Sequence, residues 1–195
     1  MKIALCICPQ WSVLTPSFAI GSLKSHIKNK NVEVEQFDLN IRTSLYTKEK
    51  NIKKFWDWGN DTPWNSESNF KDDILPHFKD LWHEYIDKLA EYDVVAFTTY
   101  ISNIVTTDYI ARYLKQKNPK IQIWYGGPYS WYAESAGLVE NDHYREFVDV
   151  ACSSSDGEKI IADLVNRYVE DGHYENVKGI YRWDKMTPSF PTVLK

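Results

Sequence analysis

The sequence contains little cysteine or methionine, with three Cys and two Met among 195 residues. So few cysteines, in an odd number, do not make a disulfide framework, and we expect a reducing, cytoplasmic setting. Basic charge is not in excess either, because 23 Lys and Arg stand against 27 Asp and Glu, a formal net charge of −4. This balance disfavours a nucleic-acid-binding face.

Long apolar runs and phosphate-binding motifs are also missing. No stretch approaches the ~18 consecutive apolar residues that a membrane span requires. The apolar start of the chain is interrupted at Pro9, too early for a signal peptide. The first apolar run is followed by neither GxGxxG nor GxxxxGK with Ser or Thr, so the sequence gives no support for a dinucleotide or triphosphate cradle.

Aromatic residues, in contrast, are abundant: they make up 15% of the chain and include eight Trp. Trp56, Trp58, Trp64 and Trp82 fall within one short stretch. Packing in a core can account for such residues, and a flat ligand or a partner surface would use them equally well. Both interpretations remain open from the sequence.

Apolar runs alternate with helical patterns along the chain. Short apolar runs bounded by Pro, Gly or polar residues predict strands, and apolar positions at helical spacing predict helices. The predicted strands are Lys2–Cys8, Val32–Asp38, Asp93–Thr98, Ile121–Tyr125 and Phe147–Ala151, and the predicted helices are Phe18–Lys28, Ser68–Glu91, Asn103–Lys117, Trp131–Glu140 and Gly157–Tyr168. The alternation predicts an α/β fold with a doubly wound, five-stranded parallel sheet and a Trp-rich helical insertion between strands 2 and 3.

Ligands of such sheets bind beside the carboxyl ends of the strands, near the point at which the strand order reverses. Gly126 and Gly127 directly follow a predicted strand. Glycine there permits either a tight turn or the close approach of a ligand. In the first loop, Trp11 lies near the hydroxyls of Ser12 and Thr15, which leaves flavodoxin-type flavin binding open.

An ordered set of short motifs resembles the N-terminal domain of cobalamin-dependent radical S-adenosylmethionine enzymes. That group includes the anaerobic magnesium-protoporphyrin monomethyl ester cyclases and many methyltransferases. The resemblance extends over about residues 1–185. The motifs are Pro16…Gly21, Asp38-Leu39-Asn40, Val95–Asn103, Lys115…Pro119, Gly126-Gly127-Pro128 and Gly157-Glu158.

The resemblance implies a flavodoxin-like (Rossmann-like) domain that holds cobalamin, and with it cobalt, against the carboxyl edge of the sheet. The loop Pro9–Phe18 contains neither histidine nor acid, so we expect no metal ligand from the protein, and we expect no catalytic residue in this part. The cofactor-binding residues that the resemblance implies are Trp11, Ser12, Val13, Leu14, Thr15, Thr98, Thr99, Tyr100, Asn103, Gly126, Gly127, Pro128, Tyr129, Gly157 and Glu158.

The catalytic half of such an enzyme is not in this sequence. Its iron–sulfur cluster needs a CxxxCxxC triplet, and Cys6, Cys8 and Cys152 lack that spacing. We therefore expect residues 186–195 to be a linker toward a radical S-adenosylmethionine domain, the partner that would hold the cluster and S-adenosylmethionine. The expected reaction of the whole enzyme is methyl transfer or oxidative cyclisation. The alternatives are a flavodoxin-like flavin-binding module and a degenerate domain without cofactor, used for substrate docking.

Overall fold

The first strand illustrates why this chain forms a buried sheet. In a computed structural model, β1 (Lys2–Ile7) is buried from Ile3 onward. Ile3, Leu5 and Ile7 belong to one hydrophobic cluster, and Ala4 and Cys6 belong to a second. Apolar residues on both faces are typical of parallel strands that are covered by helices on both sides. The structure describes residues 1–14, 16–53, 56, 62–131, 142–152, 154–174 and 176–182.

Strands and helices alternate along the described chain. The further strands are β2 (Glu33–Asp38), β3 (Val94–Thr98), β4 (Gln122–Gly126), β5 (Val150–Cys152) and β6 (Ile180–Arg182). The helices are α1 (Phe18–His26), α2 (Leu39–Glu49), α3 (Thr62–Asn65), α4 (Glu67–Asn69), α5 (Leu75–Leu89), α6 (Ile104–Lys117), α7 (Pro128–Trp131), α8 (Asp142–Arg145) and α9 (Gly157–Asp171). A π-helical turn, Phe70–Ile74, joins α4 to α5. None of the helices in the described part is long and apolar enough to cross a membrane.

The strand order is β2-β1-β3-β4-β5-β6. Strands β1 to β5 pair in parallel, which confirms the predicted mixed α/β fold with a largely parallel sheet. The predicted count of five strands is wrong, because β6 adds an antiparallel edge strand beside β5. The sequence predicts an extended segment at Val177–Trp183, but a strand of three residues is too short to indicate that it joins the sheet. The order of the parallel strands is the flavodoxin-like order.

The sheet separates two hydrophobic cores. One core lies under α1 and α9, and we call this side the α1–α9 face; it contains Ile20, Trp124 and Leu164. The other core lies under α2, α5 and α6, and we call this side the α5–α6 face; it contains Trp82 and Tyr125. Both cores are buried, so the sheet is covered on both sides.

The segment between β2 and β3 is helical, but its helices differ from the prediction. Helix α2 was not predicted, because its buried residues include Asn40, Thr43 and Ser44, which hide the apolar pattern. The predicted helix Ser68–Glu91 is interrupted by the π-helical turn. Most of the predicted helix Trp131–Glu140 and the whole of the predicted linker 186–195 lie outside the described residues.

Candidate functional site

The strand order reverses at β1, which lies between β2 and β3. The chain leaves β1 toward β2 on one side, whereas β3, β4 and β5 follow on the other side. In parallel α/β sheets this arrangement opens a crevice outside the carboxyl ends of the strands. The loops that follow β1 and β3 meet there.

Hydrogen bonds hold these two loops together. The side chain of Asn103 donates from Nδ2 to Cys8 O at 3.3 Å and to Thr98 O at 3.1 Å. Its Oδ1 accepts from the backbone N–H of Tyr100 at 2.7 Å. Ser102 Oγ donates to Gln10 O at 2.7 Å. Asn103, a predicted site residue, is fully buried and therefore positions the loops.

A cavity of about 280 Å³ opens beside this junction, on the α1–α9 face. It lies against the carboxyl ends of β3, β4 and β5. The space exists because Ala96, Gly126 and Cys152 present little bulk there, while larger side chains of α1 and α9 form the opposite wall. The predicted site residues that line the cavity are Thr98, Tyr100, Gly126, Gly127, Pro128, Gly157 and Glu158.

The sequence analysis missed the apolar walls of this cavity. They come from strand residues whose side chains face α1 and α9, and from those helices themselves. No motif marks these residues, although the apolar stripe of α9 signals that this helix is buried. The missed lining residues include Ala19, Leu23, Ala96, Trp124, Cys152, Ile160, Ile161 and Leu164.

Three polar side chains of the lining, those of Glu158, Trp124 and Cys152, have partners within the protein. Glu158 Oε1 accepts a hydrogen bond from Ser22 Oγ at 2.9 Å, which links α9 to α1. Trp124 Nε1 donates to Tyr174 Oη at 3.0 Å, away from the cavity. Burial raises the pKa of Cys152 to about 11, so its thiol stays neutral at physiological pH. The Cys152 thiol donates to Ser154 O at 3.3 Å.

The two glycines after β4 play different structural roles. Gly127 has a φ of +97°, and a Cβ on it would lie 2.7 Å from Thr99 O and 2.9 Å from Thr99 N. The close approach that requires this glycine is therefore made by the loop after β3. A Cβ on Gly126 would meet its nearest neighbours, Cys152 Cβ and Phe97 O, at 3.8 Å and 3.9 Å, which are ordinary contacts. Gly126 therefore has room for a methyl group.

Thr99 and Tyr129 complete the link between these loops. Thr99 N and Thr99 Oγ1 both donate to Gly126 O, at 2.6 Å and 2.7 Å. Tyr129 N donates to Thr99 O at 3.1 Å. Thr99 is fully buried, and the Tyr129 side chain packs against the core of the α5–α6 face. The structure thus brings both predicted residues to the site as supports of its loops.

Large apolar side chains are exposed at the same edge of the sheet. Trp11, Leu14, Phe18 and Ile101 are 41%, 82%, 86% and 71% exposed, and we call them the apolar rim. The Trp11 ring stacks on Tyr100, with centroids 4.0 Å apart and planes at 14°. Because Tyr100 also lines the cavity, the rim and the cavity are adjacent. Exposed apolar side chains grouped at one edge are typical of interaction sites.

The rest of the first loop supports the rim. Ser12 O accepts from Asn40 Nδ2 at 3.2 Å, and Asn40 Oδ1 accepts from Trp11 N at 2.8 Å. Val13 is half-buried beside the exposed Leu14. Thr15, another predicted site residue, lies outside the described residues.

A carboxylate lies at the start of α1. Asp38 Oδ2 accepts from the backbone N–H of Ser17 at 3.4 Å, and Asp38 Oδ1 accepts from Ile41 N at 2.8 Å. A helix start is where a flavodoxin-type fold would bind a phosphate group. A negative carboxylate at this position disfavours a second anion.

The strand order, the helices on both faces and the crevice define a flavodoxin-like, Rossmann-like fold. The sequence matches no protein-family model and no curated protein. The structure is similar to that of TsrM, a radical S-adenosylmethionine methyltransferase from Kitasatospora setae, solved with its tryptophan substrate and an S-adenosylmethionine analogue. The TM-score is 0.58 and the identity 15%, over 96% of this chain and 29% of that chain. The similarity shows a related fold, and the chain spans less than a third of that protein's length.

Proposed function

We propose that this chain binds cobalamin as one domain of a larger radical S-adenosylmethionine enzyme that carries out methyl transfer or oxidative cyclisation. The observation that carries the proposal is the adjacency of an exposed apolar rim and an apolar cavity at the switch point of the sheet. Cobalamin has two matching parts, a broad macrocycle and a smaller nucleotide tail. The related fold of a radical S-adenosylmethionine methyltransferase supports the proposal.

The residues present fit these two parts. Trp11, Val13 and Leu14 would lie under the macrocycle, because apolar side chains exclude water from one of its faces. The tail would enter the cavity beside Gly126 and α9. Bound cobalamin would supply a cobalt centre for methyl transfer, whereas the protein would orient it and shield its lower face.

We further propose that no protein nitrogen coordinates the cobalt. The loop between β1 and α1 contains neither histidine nor acid. The nearest histidine in sequence, His26, is the last residue of α1 and is exposed, with Nδ1 2.9 Å from Ser22 O. Electron paramagnetic resonance of the Co(II) form tests this proposal. The base of the tail would lie in the cavity and not on the cobalt, so cobalt lines without nitrogen splitting are expected. A threefold splitting would show one nitrogen on the cobalt and would contradict the proposal.

The catalytic domain would be supplied by the same protein. The chain corresponds to 29% of the similar solved structure, and none of its cysteines has cluster spacing. We expect a CxxxCxxC triplet within a few dozen codons after Lys195 in the gene. Sequencing of the natural reading frame checks this, and a stop codon directly after Lys195 would favour a separate carrier protein.

Titration of the purified chain with hydroxocobalamin and, separately, with FMN tests the main proposal. We expect a change in the visible spectrum of cobalamin that saturates, and none with FMN, because Asp38 lies where a phosphate group would bind. Binding of FMN alone would replace the proposal with a flavin-binding module. Binding of neither ligand by a chain that is folded by circular dichroism would favour a degenerate docking domain.

A further inference from the structure

We infer that the cavity selects the base of the nucleotide tail, and that it favours an apolar bicyclic base such as dimethylbenzimidazole over a purine such as adenine. This inference rests on the proposed function and deepens it. Corrinoids share the macrocycle and differ in this base, so the cavity is where discrimination between them would occur.

The buried residues of the lining are hydrophobic apart from Thr98. Ala96 on β3, Trp124 on β4, and Ile161 and Leu164 on α9 are all buried at the cavity wall. Most of the other polar lining residues are more exposed, as Ser155 is. The lining therefore changes from a polar mouth to a mainly apolar interior, and a base that enters would contact mainly the interior.

Two hydrogen-bonding side chains of the interior, Trp124 and Cys152, have partners within the protein. Trp124 Nε1 donates to Tyr174 Oη, and Tyr174 Oη donates in turn to Gln122 Oε1. The Cys152 thiol donates to Ser154 O. Among the described residues, an adenine amino group would therefore meet few free partners in the interior. Unpaired polar groups lose their hydration without compensation, whereas the methyl groups of dimethylbenzimidazole gain from burial.

The test compares three corrinoids in titrations of the same folded chain, followed by visible spectra and calorimetry. The three are cobalamin, the cobamide with adenine as its base, and cobinamide, which has no nucleotide. We expect cobalamin to bind at least tenfold more tightly than the adenine form, about 1.4 kcal/mol. We also expect it to bind more tightly than cobinamide.

The outcomes separate this inference from the function on which it rests. If none of the three binds, the proposed function itself fails. If all three bind and the adenine form equals cobalamin, the function stands and the selectivity is overturned. If cobinamide equals cobalamin, the tail does not use the cavity, and the inference is overturned as well.

A pair of matched variants locates the selectivity within the protein. Ala96→Ser introduces a hydroxyl at the cavity wall. We expect it to weaken the binding of cobalamin and to strengthen the binding of the adenine form, so that the ratio of the two affinities becomes smaller. Ala151→Ser makes the same change on β5, where Ala151 belongs to the core of the other face, and should leave the ratio unchanged. Equal changes of the affinity ratio in the two variants would contradict the placement of the base in this cavity. Should Ala96→Ser not fold by circular dichroism, Cys152→Ser offers a near-isosteric polar change in the same wall.

Discussion

The two faces of the sheet are packed differently. On the α5–α6 face, aromatic rings fill the space: Trp82 is fully buried and stacks on Phe70 and Phe78, with centroids 5.7 Å and 5.5 Å apart. On the α1–α9 face, small residues of the strands leave a cavity of about 280 Å³ at the carboxyl edge. The same strands serve both faces, since alternate residues point to opposite sides.

This difference between the two faces shows which role the tryptophans of the insertion have. Trp64 and Trp82 of the insertion are buried, and their ring contacts are with neighbouring aromatic residues of the same core. The packing interpretation therefore holds for these two residues. The tryptophans that we place at the proposed site are Trp11, which is exposed at the switch point, and Trp124, which lines the cavity.

The largest effect is expected from Trp82→Ala on the filled face. Its ring is fully buried, and its Nε1 donates to Thr43 Oγ1 at 3.1 Å. Removal should lower the free energy of unfolding by about 3–5 kcal/mol, measured by urea denaturation. The control Trp11→Ala removes an exposed ring, which should cost about 1 kcal/mol or less. Equal losses would contradict the contrast between core and rim.

The second effect concerns a carboxyl group that is held on the filled face. Burial raises the pKa of Asp108 to about 7, although Tyr125 Oη donates to its Oδ1 at 2.8 Å and Arg112 lies nearby. In the unfolded chain the pKa is about 3.9. The native state therefore retains a proton between these values, and stability falls as the pH rises from about 4 to about 7.

The variant Asp108→Asn should lose this part of the pH dependence. We expect the free energy of unfolding of the wild type to fall by roughly 3 kcal/mol more than that of the variant over this range, measured by denaturation at several pH values. All other titratable groups are shared, so their contributions cancel in the comparison. Parallel stability curves would show that Asp108 is not buried as described.

The third effect tests the glycine that joins the two loops. Gly127→Val should lower the free energy of unfolding by about 2 kcal/mol, since a β-branched residue is strained at a φ of +97° and its Cβ would overlap Thr99. Thermal and urea denaturation measure the loss. Any weakening of cobalamin binding in this variant would follow from the displaced loop. A variant as stable as the wild type would contradict the close approach.

The smallest change in stability is expected at Gly126, where a substitution should affect the cavity more than the fold. Gly126→Ala has room for its methyl group, so we expect the free energy of unfolding to change by about 0.5 kcal/mol or less. The methyl group would narrow the cavity that Gly126 lines, and overpacking should weaken cobalamin binding about tenfold. Spectroscopic titration measures the affinity. Unchanged affinity in a folded variant would remove Gly126 from the proposed site.

Local patterns predicted much of the fold and only part of the site. Four of the five parallel strands were predicted because each is a short apolar run, and β2 was predicted because Val32 and Val34 alternate with polar residues. Helix α2 was missed because its buried polar residues bond locally, as Thr47 Oγ1 does to Ser44 O at 2.7 Å. The loops of the site were predicted because parallel strands bring their carboxyl ends to one edge, whereas the individual site residues came from the family resemblance.

The order of residues along the chain is enough to predict the alternation of strands and helices and the edge at which the loops meet, and it shows that the first loop has no histidine. The pairing of α1 with α9 is visible only in the folded chain, where Ser22 and Glu158, 136 residues apart, join the two helices. An apolar stripe shows that a helix is buried but does not say against which partner, because hydrophobic burial is not directional. The cavity walls depend on that partner, and therefore on the order in which the strands assemble.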